Sequence, residues 1–213
     1  HRLTHAGMVP IQFQRMLAAP DFDRYDLSSI RALMCCGSPL HQDLKVDIVK
    51  SIPGAFIELY GLTEGIVTIQ DPDEALDNPA SVGRPCPGQD ICIVDNNDRE
   101  VATGESGEIL GYGRLVMSGY LNRDDANAEA TRTDDQGRRW IRTGDIGRID
   151  ERGNLYIVDR KKDMIISGGQ NIYPADIESV IKDHEFVDDV AVIGVSSKRW
   201  GETPLAVIVS SNA

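Results

Sequence analysis

Residues 30–59 constrain the fold of this chain more than any other stretch. Residues 30–36 form a short apolar run that is broken by Gly37-Ser38-Pro39. Residues 40–52 carry Leu44, Ile48 and Val49 at helical spacing and close on Pro53-Gly54, and 55–59 are short and apolar again. A strand, a helix and a strand with such short joins read as a parallel α/β layer. A further helix is expected from Pro10, a residue preorganised for a first helical turn, with Ile11, Phe13, Met16 and Leu17 along one side.

The pattern changes after Pro79. Short strands are expected at 90–94, 107–112, 139–143, 147–150 and 155–159, separated by turn signals such as Asn96-Asn97-Asp98 and Glu151-Arg152-Gly153-Asn154. Only 124–131 reads as helical there, with two acids at its start. A charged stretch, 159–163, leads into a strand at 164–166 and a Ser167-Gly168-Gly169 turn. A helix from Pro174 with Ile177, Val180 and Ile181 facing inward follows, then strands at 190–195 and 205–209. The fold class expected is an α/β layer, then a small antiparallel β-barrel-like subdomain, then the start of an α+β C-terminal domain. The corresponding segments are 1–82, 83–160 and 161–213.

Composition narrows the function classes. The chain has 213 residues, 41% hydrophobic and 26% charged, which suits a globular protein that buries a core without staples. A net charge of −12 argues against nucleic acid or an anionic membrane as the main partner. No apolar run approaches the ~20 residues that span a bilayer, and no secretory signal is visible. Cys35, Cys36, Cys86 and Cys92 form no metal-ligand pattern and read as reduced thiols of a cytoplasmic protein. His5, His41 and His184 are scattered, and no hydrolase triad, Walker loop or GxGxxG appears.

Three loops carry candidate chemistry. Gly37-Ser38-Pro39 joins a strand to a helix, where a parallel sheet binds its ligands, although a plain turn has the same composition. The stretch 58–65 places Tyr60, Thr63 and Glu64 at the same sheet edge. There a ring could stack on a base, a hydroxyl could donate to phosphate and a carboxylate could hold Mg²⁺. Arg142-Thr143-Gly144-Asp145, with Asp159-Arg160 further on, offers a carboxylate for vicinal hydroxyls and a guanidinium for phosphate or ribose oxygens. A solvated turn and a surface ion-pair network are the plain alternatives.

Taken together, these loops resemble the adenylate-forming superfamily, most closely the AMP-forming carboxylic acid–CoA ligases. The matching segments are Cys36-Gly37-Ser38-Pro39-Leu40, Tyr60-Gly61-Leu62-Thr63-Glu64, Ser81-Val82-Gly83-Arg84-Pro85, Gly104-Glu105-Ser106-Gly107-Glu108-Ile109, Arg142-Thr143-Gly144-Asp145 and the run DRKKDMIISGGQNIYPADIE at 159–178. The resemblance implies a two-step ligase that joins a fatty or aromatic acid to AMP and passes the acyl group to CoA, with ATP/AMP, Mg²⁺ and CoA as cofactors. It implies that Gly37, Ser38, Pro39, Glu58, Leu59, Tyr60 and Gly61 line the nucleotide and acyl pockets, with Tyr60 stacked on adenine. Thr63 would touch the α-phosphate, Glu64 would bind Mg²⁺, Asp145 would hold the ribose hydroxyls and Arg160 would bind ribose or phosphate. Lys162 matches the hinge of the small domain, Gly168 and Gly169 match the loop that forms the pantetheine tunnel, and the stretch 5–8 resembles the segment near the acyl pocket.

Two groups of that family, a phosphate loop ending in Lys and a Gly-Lys segment with the adenylation lysine, are absent from these residues. The chain starts without Met and stops just after a strand-like run, so it is expected to be the second half of a larger enzyme and not to adenylate by itself. The partners expected are a small-molecule acid, ATP and CoA, with no nucleic acid, no stable membrane insertion and homodimerisation left open. The rivals are a peptide-synthetase type adenylation domain, a stand-alone acyl-AMP ligase, a luciferase-like oxygenase and a non-enzymatic nucleotide-binding module. Leu62 and residues 164–169 favour the CoA branch.

Overall fold

The computed structural model describes residues 2–210; His1 and 211–213, the ends on which the expectation of a larger enzyme drew, lie outside the described residues. The chain divides into two compact units. One comprises the residues up to Cys92 with Leu110–Ile141 and Ile149–Tyr156; the other comprises Ile93–Ile109, Arg142–Arg148 and the residues from Ile157 on.

The parallel layer of the first unit contains β1 (His5–Met8), α1 (Pro10–Leu17), β2 (Ala32–Cys35), α2 (Gln42–Ser51) and β3 (Ala55–Gly61). β2 pairs in parallel with β1 on one side and β3 on the other, setting Cys35 beside Met8 and Glu58. β1 was not expected, because four half-exposed residues including a glycine give too short an alternation to register. The helices bury Phe13 and Ile48 against Leu33, Cys35, Ile52 and Phe56. The Phe13 ring meets Phe56 edge-on, with centroids 5.9 Å apart. Each such side chain contributes about 1.5–3 kcal/mol of burial.

β3 continues past Glu58, the partner of Cys35, and there turns back antiparallel into β4 (Val67–Ile69), which pairs with β5 (Arg84–Pro85). Tyr60 and Gly61 are therefore strand residues, although the composition of 58–65 reads as a loop.

A second sheet contains β6 (Gln89–Val94), β7 (Gly107–Gly113), β8 (Thr131–Thr133), β9 (Arg139–Ile149) and β10 (Leu155–Arg160), with helix α3 (Asp124–Glu129) ahead of β8. Its order is β10-β9-β7-β6, with β8 antiparallel on β9, so the region is an open sheet and not a closed barrel. The strands expected at 139–143 and 147–150 are one strand. Thr143-Gly144-Asp145 reads as a break, but Lys161 donates its N–H to the Gly144 carbonyl at 2.8 Å and keeps the ladder going.

The third sheet lies in the second unit and is antiparallel in the order β12-β11-β14-β13, from β11 (Ile165–Ser167), β12 (Gln170–Ile172), β13 (Val187–Ser197) and β14 (Gly201–Ser210). Helix α4 (Pro174–Lys182) buries Pro174 and half-buries Ile177 and Ile181. Val180, expected to face inward, is 73% exposed. The inward face is set by Glu178, whose Oε1 accepts the Val192 N–H at 2.7 Å, and this rotates Val180 outward. The layer, the antiparallel sheet and this α+β segment follow one another in the order expected.

Cys35 is 1% exposed, and burial, with the nearby Glu58 charge, pushes its thiol up from 9.0 to about 12. Between those values the unfolded chain releases a proton that the folded chain keeps. Stability is therefore expected to fall as pH rises from about 9 toward about 12. Urea midpoints across that window should drop less in Cys35→Ala than in the parent chain, and equal slopes would refute the assignment.

Candidate active site

Parallel pairing brings the carboxyl ends of β2 and β3 to one edge of the layer, where ligands of open α/β sheets bind. Gly37, Ser38 and Pro39 leave β2 there and are exposed. Tyr60 and Gly61 end β3, and Leu62–Gly65 form the tight turn into β4, in which Gly65 donates its N–H to the Leu62 carbonyl at 3.1 Å. The structure thus groups Gly37–Pro39 with Tyr60, Thr63 and Glu64, as the sequence suggests.

Thr63 is exposed and Glu64 half-buried at this edge. The Glu64 carboxylate accepts a hydrogen bond at Oε1 from the Tyr120 hydroxyl, 2.7 Å away. Tyr120 was not singled out from the sequence, since it lies far along the chain in a stretch without periodicity. Donation to that carboxylate raises the Tyr120 pKa.

Glu58, expected to line the nucleotide, is placed elsewhere. Its side chain is 5% exposed and forms a buried ion pair with Lys45 of α2. Strand alternation sends it into the interior, so its carboxylate holds β3 against α2 and does not face the edge. Lys45 also donates to Gln70 Oε1 and to the Ser81 carbonyl, both at 2.8 Å. Leu59, next to it, pairs with Ile69.

The second unit carries the remaining residues. Thr143 Oγ1 donates to the Ile109 carbonyl at 2.9 Å and accepts the Asp145 N–H at 3.0 Å, which fixes the backbone at Asp145. The bond from Lys161 N–H to the Gly144 carbonyl sets Asp145 and Arg160 on adjoining residues, the pairing expected from the sequence. Arg160 is exposed. Beside it lies a cluster that sequence reading missed: Arg142 donates to Glu108 Oε2 and to both oxygens of Asp98 at 2.7 Å, and Lys161 Nζ reaches Glu108 Oε2 at 2.9 Å. Glu108 is 6% exposed, so this cluster is a partly desolvated anchor for the strand that bears Asp145.

Lys162 lies exposed in the turn between β10 and β11, and Gly168 and Gly169 form the exposed turn between β11 and β12. The Gly168 N–H donates to the Trp200 carbonyl at 2.8 Å. Asp159 accepts the Arg160 N–H at 2.7 Å and the Ala175 N–H, in the first turn of α4, at 3.2 Å.

Among the described residues no three His, Cys, Asp or Glu side chains are grouped to hold a metal ion. The single carboxylate of Glu64, next in sequence to Thr63, could serve only a cation that takes most of its oxygens from elsewhere, such as a substrate's phosphates.

The chain matches the family of AMP-binding enzymes over residues 1–121 and the AMP-binding enzyme C-terminal domain over 176–213. It is 38% identical over 213 residues to a feruloyl-CoA synthase of Amycolatopsis sp, covering 99% of this chain and 42% of that protein. It is also 38% identical over 212 residues to a long-chain-fatty-acid–CoA ligase of Mycobacterium tuberculosis, covering 98% and 41%. Among solved structures it superposes on the o-succinylbenzoate CoA synthetase of Bacillus subtilis in complex with its acyl-adenylate intermediate. That match has a TM-score of 0.84 and 31% identity, and covers 100% of this chain and 42% of the other. The chain thus spans about two-fifths of the length of the relatives it matches.

Proposed function

The chain belongs to the AMP-binding enzyme family, and from that premise we propose that it is part of an ATP-dependent, AMP-forming acid–CoA ligase acting on a fatty or aromatic acid. The observation that carries this reading is the layer edge past which both Gly37–Pro39 and Tyr60–Glu64 lie, with the Glu64 carboxylate hydrogen-bonded by Tyr120. The names of the relatives, a feruloyl-CoA synthase and a long-chain-fatty-acid–CoA ligase, span both acid classes.

In the first step a carboxylate oxygen of the acid bonds to the α-phosphorus of ATP, and the bond to the bridging oxygen breaks, releasing pyrophosphate. In the second, the thiol of CoA loses its proton and bonds to the acyl carbon, and AMP leaves. Bringing anions together is a matter of positioning and charge neutralisation. Gly37, Ser38 and Pro39 admit the base and the acyl group, and Tyr60 offers a ring face to adenine. Thr63 donates to the α-phosphate, Asp145 accepts from the ribose hydroxyls and Arg160 donates to ribose or phosphate oxygens. Mg²⁺, when bound, supplies charge neutralisation at the phosphates; Glu64 would hold it.

The segments 1–82, 83–160 and 161–213 are the proposed domains, with Lys162 as hinge and Gly168-Gly169 bordering the pantetheine. No described helix is long and apolar enough to cross a membrane. The reduced cysteines support a cytoplasmic setting. A homodimer is the assembly to look for.

Acid-dependent exchange of pyrophosphate into ATP, with a CoA thioester identified by mass spectrometry, is expected of the intact protein that carries this chain. Nucleotide binding without exchange for any acid of a fatty and aromatic panel would refute the ligase. Exchange without thioester would point to the acyl-AMP or peptide-synthetase branch.

A further inference from the structure

We infer that Tyr120 is a positioning residue for Glu64, turning that carboxylate toward the divalent cation of the nucleotide; the inference rests on the reading of Glu64 as the cation-holding group. The hydroxyl of Tyr120 takes Oε1 of Glu64 at 2.7 Å and leaves Oε2 to a ligand. A glutamate at a half-exposed turn otherwise samples many rotamers, and a single donor on one oxygen selects among them.

The surrounding chain is built to hold this contact. Met117 donates its N–H to the Glu64 carbonyl at 2.9 Å, strapping residues 114–121 onto the turn. Arg139 bridges the strap, donating to the carbonyls of Ser118 at 2.7 Å and Met117 at 2.8 Å. The Asn127 side chain of α3 then clamps the backbone of Tyr120 from both sides, with Oδ1 accepting its N–H at 2.6 Å and Nδ2 donating to its carbonyl at 3.0 Å. Gly119 leaves room for that clamp, since a Cβ there would lie 2.9 Å from Asn127 Oδ1. Five hydrogen bonds thus fix the chain around a tyrosine that is itself 39% exposed. Core packing does not need a ring so exposed, whereas orienting a carboxylate does.

The test uses the intact protein with Mn²⁺ as a paramagnetic stand-in for Mg²⁺ and a non-hydrolysable ATP analogue. Tyr120→Phe should weaken Mn²⁺ binding to the nucleotide complex about tenfold, the usual scale for losing a group that orients a metal ligand. The Mg²⁺ concentration for half-maximal pyrophosphate exchange should rise by the same factor, with kcat unchanged at saturating Mg²⁺. Asn127→Ala, which frees the Tyr120 backbone but keeps its hydroxyl, should shift both readouts in the same direction. Glu64→Gln separates the two readings. If it weakens Mn²⁺ binding while Tyr120→Phe binds as the parent does, the positioning role is overturned and the cation role of Glu64 stands. If Glu64→Gln leaves Mn²⁺ binding unchanged, the cation role falls and the positioning role falls with it.

Discussion

Lys45→Ala is expected to destabilise the first unit by about 3–5 kcal/mol, the cost of breaking a buried ion pair by removing one partner. Lys45 is 1% exposed, and its ammonium has three acceptors: the Glu58 carboxylate, Gln70 Oε1 and the Ser81 carbonyl. An ammonium has three donors, so the site is saturated. Burial lowers the pKa of Lys45 and raises that of Glu58, and their mutual attraction opposes both shifts. Without the lysine, the Glu58 carboxylate is left at 5% exposure with an unopposed charge, and two further acceptors lose their donor. Lys45→Met combined with Glu58→Gln removes both charges and should cost less than Lys45→Ala alone. That non-additivity is the signature of a direct pair. Urea unfolding followed by the fluorescence of Trp140, which belongs to the same unit, reads the effect. A loss under about 1 kcal/mol for Lys45→Ala would show that the pair does not hold α2 to β3.

The second large effect is expected at Gly65. Its φ is +115°, and a Cβ built there would lie 1.9 Å from the Leu115 carbonyl oxygen. Both neighbours are backbone, so no rotamer change relieves the overlap. The strap at 114–121 must move off the turn or the turn must deform, and Gly65→Ala is expected to cost about 3–5 kcal/mol, the range of the most severe single substitutions. Gly137→Ala is the control. Its φ of +77° is also positive and lies close to the left-handed region, but a Cβ there meets nothing within 4 Å. Its cost should stay near the about 1–2 kcal/mol of a left-handed alanine. Because the strap also presents Tyr120 to Glu64, Gly65→Ala should reduce pyrophosphate exchange as well as stability, and Gly137→Ala should leave exchange unchanged. Equal costs at the two glycines would mean that the strap is not packed on the turn.

How much of this was legible in the sequence depends on the range of the interaction. α1, α2 and β2 follow from Pro10, from the spacing of Leu44, Ile48 and Val49, and from an apolar run between turn signals. β1, β4 and β12 do not, because strands of three or four residues carry too few alternations and depend on neighbours supplied from elsewhere in the chain. β9 reads as two strands because Gly144 looks like a turn locally, whereas the Lys161 N–H pairs its carbonyl across the ladder. At the layer edge, Thr63 and Glu64 stand out in the sequence because a hydroxyl and a carboxylate just past a strand's end suggest a chemistry by type and spacing. Tyr120 and Asn127 do not, since neither belongs to a periodic pattern and each acts on residues distant in sequence.

The two glutamates of β3 and its turn mark the boundary between the two kinds of information. By itself the sequence determined that a layer of this order exists, that carboxylates stand near its edge and which family shares these motifs. Glu58 and Glu64 are the same residue type six positions apart, and nothing local assigns them different tasks. The tertiary structure decided that Glu58 turns inward to Lys45, while Glu64, beyond the end of β3 at Gly61, stays at the edge under Tyr120. A side chain's chemistry is carried by its own residue, but its charge partner and desolvation come from other segments that only folding brings beside it.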